Sequence, residues 1–192
     1  MKTVSVTRRK KKLQKIRNVL IRIAAFVLGI VIVVMAAAFA VRQFGMQTVI
    51  IDQSMSDTLQ SEDVVLINKL AYITGNPDRM DIAVVRVGSS EFSPSYVRRV
   101  IGLPGETVRI TDGILYINDE AVDIPFNDSP IENGGAAKEG ITLGDDQYFV
   151  LCDNYNNSRD DSRLDSIGLI DEDQMSGKVW MTLFPLSHLS FE

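Results

Sequence analysis

Val108-Arg109-Ile110-Thr111-Asp112-Gly113-Ile114-Leu115-Tyr116-Ile117 decides the fold class. Two short runs rich in β-branched residues flank an Asp-Gly pair, and that pair favours a tight hairpin turn because both of its residues tolerate positive φ. Working outward, Asn118-Asp119-Glu120 marks a second turn before Ala121-Val122. Upstream lie Val49-Ile50-Ile51, Val64-Val65-Leu66-Ile67 and Ile82-Ala83-Val84-Val85, compact apolar runs bounded by turn residues. Downstream lie Gln147-Tyr148-Phe149-Val150-Leu151 and Lys178-Val179-Trp180-Met181-Thr182-Leu183-Phe184. Between them, residues 127–140 hold Pro130, Gly134, Gly135 and Gly140 with little periodicity, which predicts a mobile loop. Strands this frequent, with turns between them, predict a mainly β domain of coiled antiparallel sheets, a barrel or a sandwich.

Ahead of this domain, Ile23 to Val41 carries no charge and is bracketed by Arg22 and Arg42. As a helix its nineteen residues span about 28 Å, close to the ~30 Å hydrocarbon core of a bilayer. Ala38-Phe39-Ala40 offers a small-x-small cleavage site, but the run is longer than the ~7–15 residues of a secretory h-region, so it reads as a retained anchor. Lys2, Arg8, Arg9, Lys10, Lys11, Lys12, Lys15, Arg17 and Arg22 precede it, and no acidic residue occurs before Asp52. Ten positive residues and all 25 acidic ones follow Arg42, a formal charge near −15 for that part. A basic flank stays in the cytoplasm, which places the acidic domain outside a single-pass cell membrane protein. The expected organisation is therefore a basic cytoplasmic segment (1–22), a transmembrane helix (23–42) and an extracytoplasmic β domain (43–192) in contact with the lipid bilayer. Abutting a membrane span, the basic run is read against nucleic-acid binding. Cys152 is the only cysteine, so an internal disulfide is excluded. No cysteine pair, histidine cluster or Gly-rich phosphate loop is visible, so no metal and no cofactor is expected.

Three blocks remain: Ser54-Met55-Ser56-Asp57-Thr58-Leu59, Tyr96-Val97-Arg98-Arg99-Val100-Ile101-Gly102-Leu103-Pro104-Gly105, and Asp153-Asn154-Tyr155-Asn156-Asn157-Ser158. Two lesser ones, Glu62 to Lys69 and Arg79 to Val84, lie between the first two. A serine needs a base to become a nucleophile. The single histidine, His188, stands near the end and reads as a surface residue, so no Ser-His-Asp triad can be assembled. In this order and behind an anchor, the blocks resemble the type I signal peptidases, bacterial membrane serine proteases with a Ser/Lys dyad. The resemblance implies a signal-peptidase-like antiparallel β domain after one transmembrane helix. It also implies that Ser54 is the nucleophile and that its N–H belongs to the oxyanion hole, with Arg98 at the position of the base lysine. Ser158 would orient that base. Arg99, Asp153, Arg163 and one of Asp160 or Asp161 would form a salt-bridge frame below the site.

The departures from the pattern bear on activity. Asp57 replaces the proline of the first motif, and Asp52 stands where Gly or Ser is usual, beside the oxyanion hole. A carboxylate pointing inward there would repel a developing oxyanion. The segment Ser158-Arg159-Asp160-Asp161-Ser162-Arg163 is one residue longer than the pattern. Arg98 is the most consequential, because a guanidinium has a pKa above ~12 and does not release its proton in proteins. Lys69 lies on a different strand, and Asp52 is a poor base for serine unless desolvated. Two functions follow. One is a signal peptidase I cutting exported preproteins after small-x-small sites as they leave the translocon, with the extended substrate added to an edge strand. The other is a silent homologue that binds extended peptides, for example an accessory in surface-protein or pilus assembly.

Overall fold

The computed structural model describes residues 2–88, 90, 93–158 and 160–191, and for helix residues 2–16 and 40–44 the backbone alone. The basic side chains from Lys2 to Lys15, that of Arg42, and Arg159 thus lie outside the described residues. Two units divide the chain, Met1–Gln43 and Phe44–Glu192.

The first unit is a single helix, α1 (Lys2–Phe44). Its stretch Arg17–Phe39 is long and apolar enough to cross a membrane, and every side chain along it is exposed. A helix apolar on all faces has no core-facing stripe to distinguish it, which is the pattern of a lipid-facing span.

The second unit is mainly antiparallel β. Its larger sheet is built from β1 (Gly45–Val49), β2 (Val64–Asn68), β3 (Ile82–Arg86), β4 (Ser95–Gly102), β9 (Gln147–Leu151), β10 (Ile170–Asp171), β11 (Met175–Phe184) and β12 (Ser190–Phe191). The strand order is β1-β2-β11-β3-β4-β9-β10, with β12 on β11. A smaller sheet runs β7-β6-β5-β8, from β5 (Thr107–Thr111), β6 (Ile114–Ile117), β7 (Glu120–Val122) and β8 (Ile141–Thr142). The hairpin read from the sequence is β5–β6, with Val108 opposite Ile117 and Thr111 opposite Ile114. Asp112 (φ 52°) and Gly113 (φ 80°) form its turn, both in the left-handed region that an Asp-Gly pair tolerates.

Two segments differ from expectation. Val49-Ile50-Ile51 does not form one strand: β1 ends at Val49, Ile50 turns into the core and Ile51 is exposed. The segment 127–140 is not a loose loop. Ile131 and Ala137 are buried in the core of the smaller sheet, and residues 135–137 form a 3-10 turn. Gly135 (φ 53°) lies so close to the Arg163 backbone that a Cβ would come within 2.3 Å of its carbonyl oxygen. Glycine there permits close approach rather than mobility.

Candidate active site

The Ser54 loop joins β1 to β2. Its base is closed by backbone hydrogen bonds from Ile50 N–H to Asp63 O (2.9 Å) and from Glu62 N–H to Ile50 O (2.8 Å). Met55 and Leu59 are fully buried and pack with Ile50, Val65, Ile67, Ile82, Val84 and Val179. Two large apolar side chains pressed into a core fix the loop without a proline at position 57. Asp57 instead accepts a hydrogen bond from Asn127 Nδ2 (2.6 Å). The third block clamps the other side of the loop: Asn154 N–H donates to Ser54 O (2.9 Å), and its side chain donates to Gln53 O and Ser56 Oγ.

Consecutive residues of a strand point to opposite faces, so Arg98 and Arg99 of β4 part company. Arg99 forms a bidentate pair with the fully buried Asp153, Nε to Oδ1 at 2.8 Å and Nη2 to Oδ2 at 2.6 Å. Thr58 of the Ser54 loop completes this pair, donating to Asp153 Oδ2 at 2.5 Å and accepting from Arg99 Nη2 at 3.0 Å. The Arg99 guanidinium also lies 4.4 Å from the Phe126 ring centre. A second bidentate pair joins Arg163 to Asp161, at 2.9 and 2.8 Å. Asp161 also accepts the backbone N–H groups of Cys152 and Arg163. Of the two adjacent aspartates, Asp161 is therefore the one turned inward; Asp160 is exposed and contributes its carbonyl alone. The frame is two separate pairs.

Arg98 is fully buried and directed at Ser54. Its Nη1 donates to Ser54 Oγ at 2.7 Å and to Val97 O at 2.6 Å, and its Nε donates to Asp160 O at 2.5 Å. Its Nη2 is buried and has no hydrogen-bond partner among the described residues; Asp52 Oδ2 lies 3.9 Å away. The Tyr96 ring centre is 5.0 Å from the guanidinium carbon. Asp52 Oδ1 accepts the Ser54 hydroxyl proton at 2.5 Å and the Ser54 backbone N–H at 3.1 Å. Ser54 Oγ is thus held between a carboxylate that accepts its proton and a guanidinium that donates to it.

The remaining candidates lie elsewhere. Ser158 accepts from Cys152 Sγ (3.5 Å), and no hydrogen bond joins it to Arg98 among the described residues. Lys69 follows β2 and makes no hydrogen bond to Ser54 among them. His188 is not a free surface residue: its Nδ1 lies 2.9 Å from Oδ1 of the buried Asp63. Asp63 in turn accepts the Gln60 N–H of the Ser54 loop, so His188 braces that loop from behind. The sequence placed Asp52 beside the oxyanion hole but did not show the short contact it makes with Ser54. Its only sequence signal is a carboxylate two residues before a serine, the spacing of an Asx turn.

A family model described as signal peptidase, peptidase S26 matches residues 22–184. The chain belongs to this family. Among its relatives, signal peptidase I P of Bacillus subtilis subsp. natto is 33% identical over 83% of this chain and 88% of its own length. Signal peptidase I T of Bacillus subtilis (strain 168) is 30% identical over 83% of this chain and 84% of its own. The solved signal peptidase I of Enterococcus faecalis V583 is 31% identical, covers 54% of this chain and 97% of that one, and gives a TM-score of 0.43.

Within the signal peptidase pattern the free thiol gives a simple check on the site's interior. Burial pushes the Cys152 thiol up to about 12, and the Asp161 carboxylate adds to the shift while Arg98 opposes it. The thiolate is the reactive form. Native protein at pH 8 is therefore expected to resist iodoacetamide for hours, and unfolded protein to react within minutes. Mass spectrometry of the alkylated chain reads the difference.

Proposed function

We propose that the chain is a signal peptidase I-type serine endopeptidase, anchored in a bacterial cell membrane, that removes signal peptides from exported preproteins after small-x-small sites. The observation that carries this reading is the buried Ser54 hydroxyl, on a loop anchored by Met55 and Leu59, with its proton already donated to an acceptor and its oxygen facing a cation. Ser54 is the nucleophile; Arg99, Asp153, Asp161 and Arg163 hold the loop and the third block in register. The helix Arg17–Phe39 spans the bilayer with its basic flank in the cytoplasm. β1 is an edge strand that leads within five residues to Ser54, so an extended substrate paired to it delivers its scissile bond to the serine. Trp180 and Phe184 of β11, Phe191 of β12, and Leu186 and Leu189 in the turn between these strands are exposed apolar residues suited to the membrane surface from which a preprotein emerges beside the translocon. The test is cleavage of a preprotein bearing an Ala-x-Ala site by the full chain in detergent. The native protein is expected to release the mature product, and Ser54→Ala to lose all detectable turnover. Equal product from both proteins contradicts the reading.

One observation favours the second function, a silent homologue that grips extended peptides for surface-protein or pilus assembly. The group at the base position is a guanidinium, which keeps its proton in proteins. That reading requires binding of the preprotein without cleavage in native protein and Ser54→Ala alike.

A further inference from the structure

The residue at the lysine position cannot take a proton, yet the Ser54 proton has an acceptor. We infer that Asp52 is the general base of this site, and that Arg98 acts with it as a fixed cation stabilising the charge that develops on Ser54 Oγ and on the substrate oxygen. The inference rests on the peptidase reading above and assigns its chemistry to residues for which the Ser/Lys pattern has no role.

Geometry carries it first. A general base must lie within hydrogen-bond reach of the proton it removes, and Asp52 Oδ1 lies 2.5 Å from Ser54 Oγ. The hydroxyl has one proton, and with Arg98 Nη1 donating into the same oxygen that proton points at Asp52. The charge balance carries it further. Moving the proton from Ser54 to Asp52 exchanges a carboxylate for an alkoxide beside the same guanidinium. The number of charges is unchanged, so the transfer separates no new charge, although the Asp52 side chain is half-exposed while Ser54 and Arg98 are buried. A carboxylate alone is a weak base for serine, but here a permanent cation sits on the oxygen that becomes negative. Such preorganised donors are worth most in a water-excluded setting.

The unpartnered Arg98 Nη2 fits this scheme. A buried N–H without an acceptor calls for an explanation, and this one is on the guanidinium that faces the nucleophile. At rest its nearest anionic oxygen, Asp52 Oδ2, is 3.9 Å away, beyond hydrogen-bond reach, so it is a donor free to bond the charge that develops on Ser54 Oγ. The repulsion expected between Asp52 and an oxyanion does not arise, because Asp52 is a neutral acid once it holds the serine proton. The longer bond from Ser54 N–H to Asp52 Oδ1, 3.1 Å, is the one a substrate carbonyl replaces, and the half-exposed Asp52 side chain has room to yield it.

Ser54 Oγ bonds to the scissile carbonyl carbon as its proton passes to Asp52, and the carbonyl electron pair moves onto oxygen. Collapse breaks the C–N bond, and the Asp52 proton goes to the leaving amine. Water then attacks the acyl carbon and gives a proton to Asp52. The C–Oγ bond breaks, Ser54 recovers that proton, and the signal peptide leaves with a carboxyl terminus.

Asp52→Asn tests this with little change of shape. An asparagine side-chain oxygen still accepts the Ser54 N–H and keeps the turn, but it cannot take the proton. General-base catalysis contributes typically about 10²–10⁴-fold, so kcat on the Ala-x-Ala preprotein is expected to fall at least about 100-fold. KM and the thermal midpoint should stay close to native, and Asp52→Glu, which retains a carboxylate, should recover part of the loss. Native cleavage with Asp52→Asn within a few-fold of native kcat overturns the assignment and leaves the peptidase reading standing. A change confined to KM likewise overturns it, since that is the signature of positioning alone. Absence of native cleavage overturns the peptidase reading, and this assignment with it.

Discussion

Asp161→Ala is expected to destabilise the β unit by about 3–5 kcal/mol, the usual cost of removing one partner of a buried ion pair. Asp161 is fully buried and accepts four hydrogen bonds, two from the Arg163 guanidinium and two from backbone N–H groups. Its loss leaves Arg163, whose side chain is 3% exposed, with only the carbonyls of Tyr155, Ser158 and Asn133. The same change frees the Cys152 N–H at the head of the third block. For a domain of this size the thermal midpoint should drop by roughly 10 °C. Asp160→Ala is the internal control: an exposed carboxylate is removed and the carbonyl that receives Arg98 Nε is kept, so the change should stay within about 0.5 kcal/mol. Thermal denaturation of the two variants side by side decides which aspartate belongs to the frame.

Arg98→Lys returns the family's residue to the base position, and it is expected to slow cleavage rather than improve it. A single ammonium cannot reproduce the contacts of the fork, which reaches Ser54 Oγ, Val97 O and Asp160 O at once. The site is also built around a cation. A carboxylate close by favours the charged form of a lysine, so Asp52 holds the ammonium protonated instead of releasing a neutral amine. Hydrogen bonds to charged groups contribute about 1.5–3 kcal/mol, and losing one in the transition state corresponds to roughly 10- to 100-fold in kcat. The double variant with Asp52 replaced by glycine is the arrangement in which a lysine could discharge.

The strands were legible because each is a short β-branched run ended by a turn residue, and burial in the larger sheet makes such runs read continuously. β2, β3, β5, β6, β9 and β11 all fall on stretches read from the sequence. β4 was quoted only as a motif block, because Arg98 and Arg99 interrupt its apolar run, and the two-residue strands β8, β10 and β12 were not read, since so short a run carries no period. Segment 127–140 misled for a physical reason. Its glycines signal flexibility in isolation, but here they allow backbone to lie against backbone, as Gly135 does on Arg163. At the site, the family resemblance implied that Ser54 and Arg98 come together, and Arg98 Nη1 does donate to Ser54 Oγ. The resemblance left Asp160 and Asp161 undivided, because only side-chain direction separates adjacent residues in a turn. It also treated Asp52 as an obstacle, because its value depends on the cation across the serine, and that pairing of loop and strand is tertiary.

Ser54 is activated in the chain as it stands, with arginine at position 98. Preprotein cleavage by the native protein and by Arg98→Lys, measured together with Ser54→Ala as the blank, tests it most directly. Ser54-dependent cleavage by the native protein and slower cleavage by Arg98→Lys are expected. A native protein that binds the preprotein but leaves it whole, beside an Arg98→Lys variant that cuts it, would contradict the account and make this an intact peptidase scaffold silenced at one position.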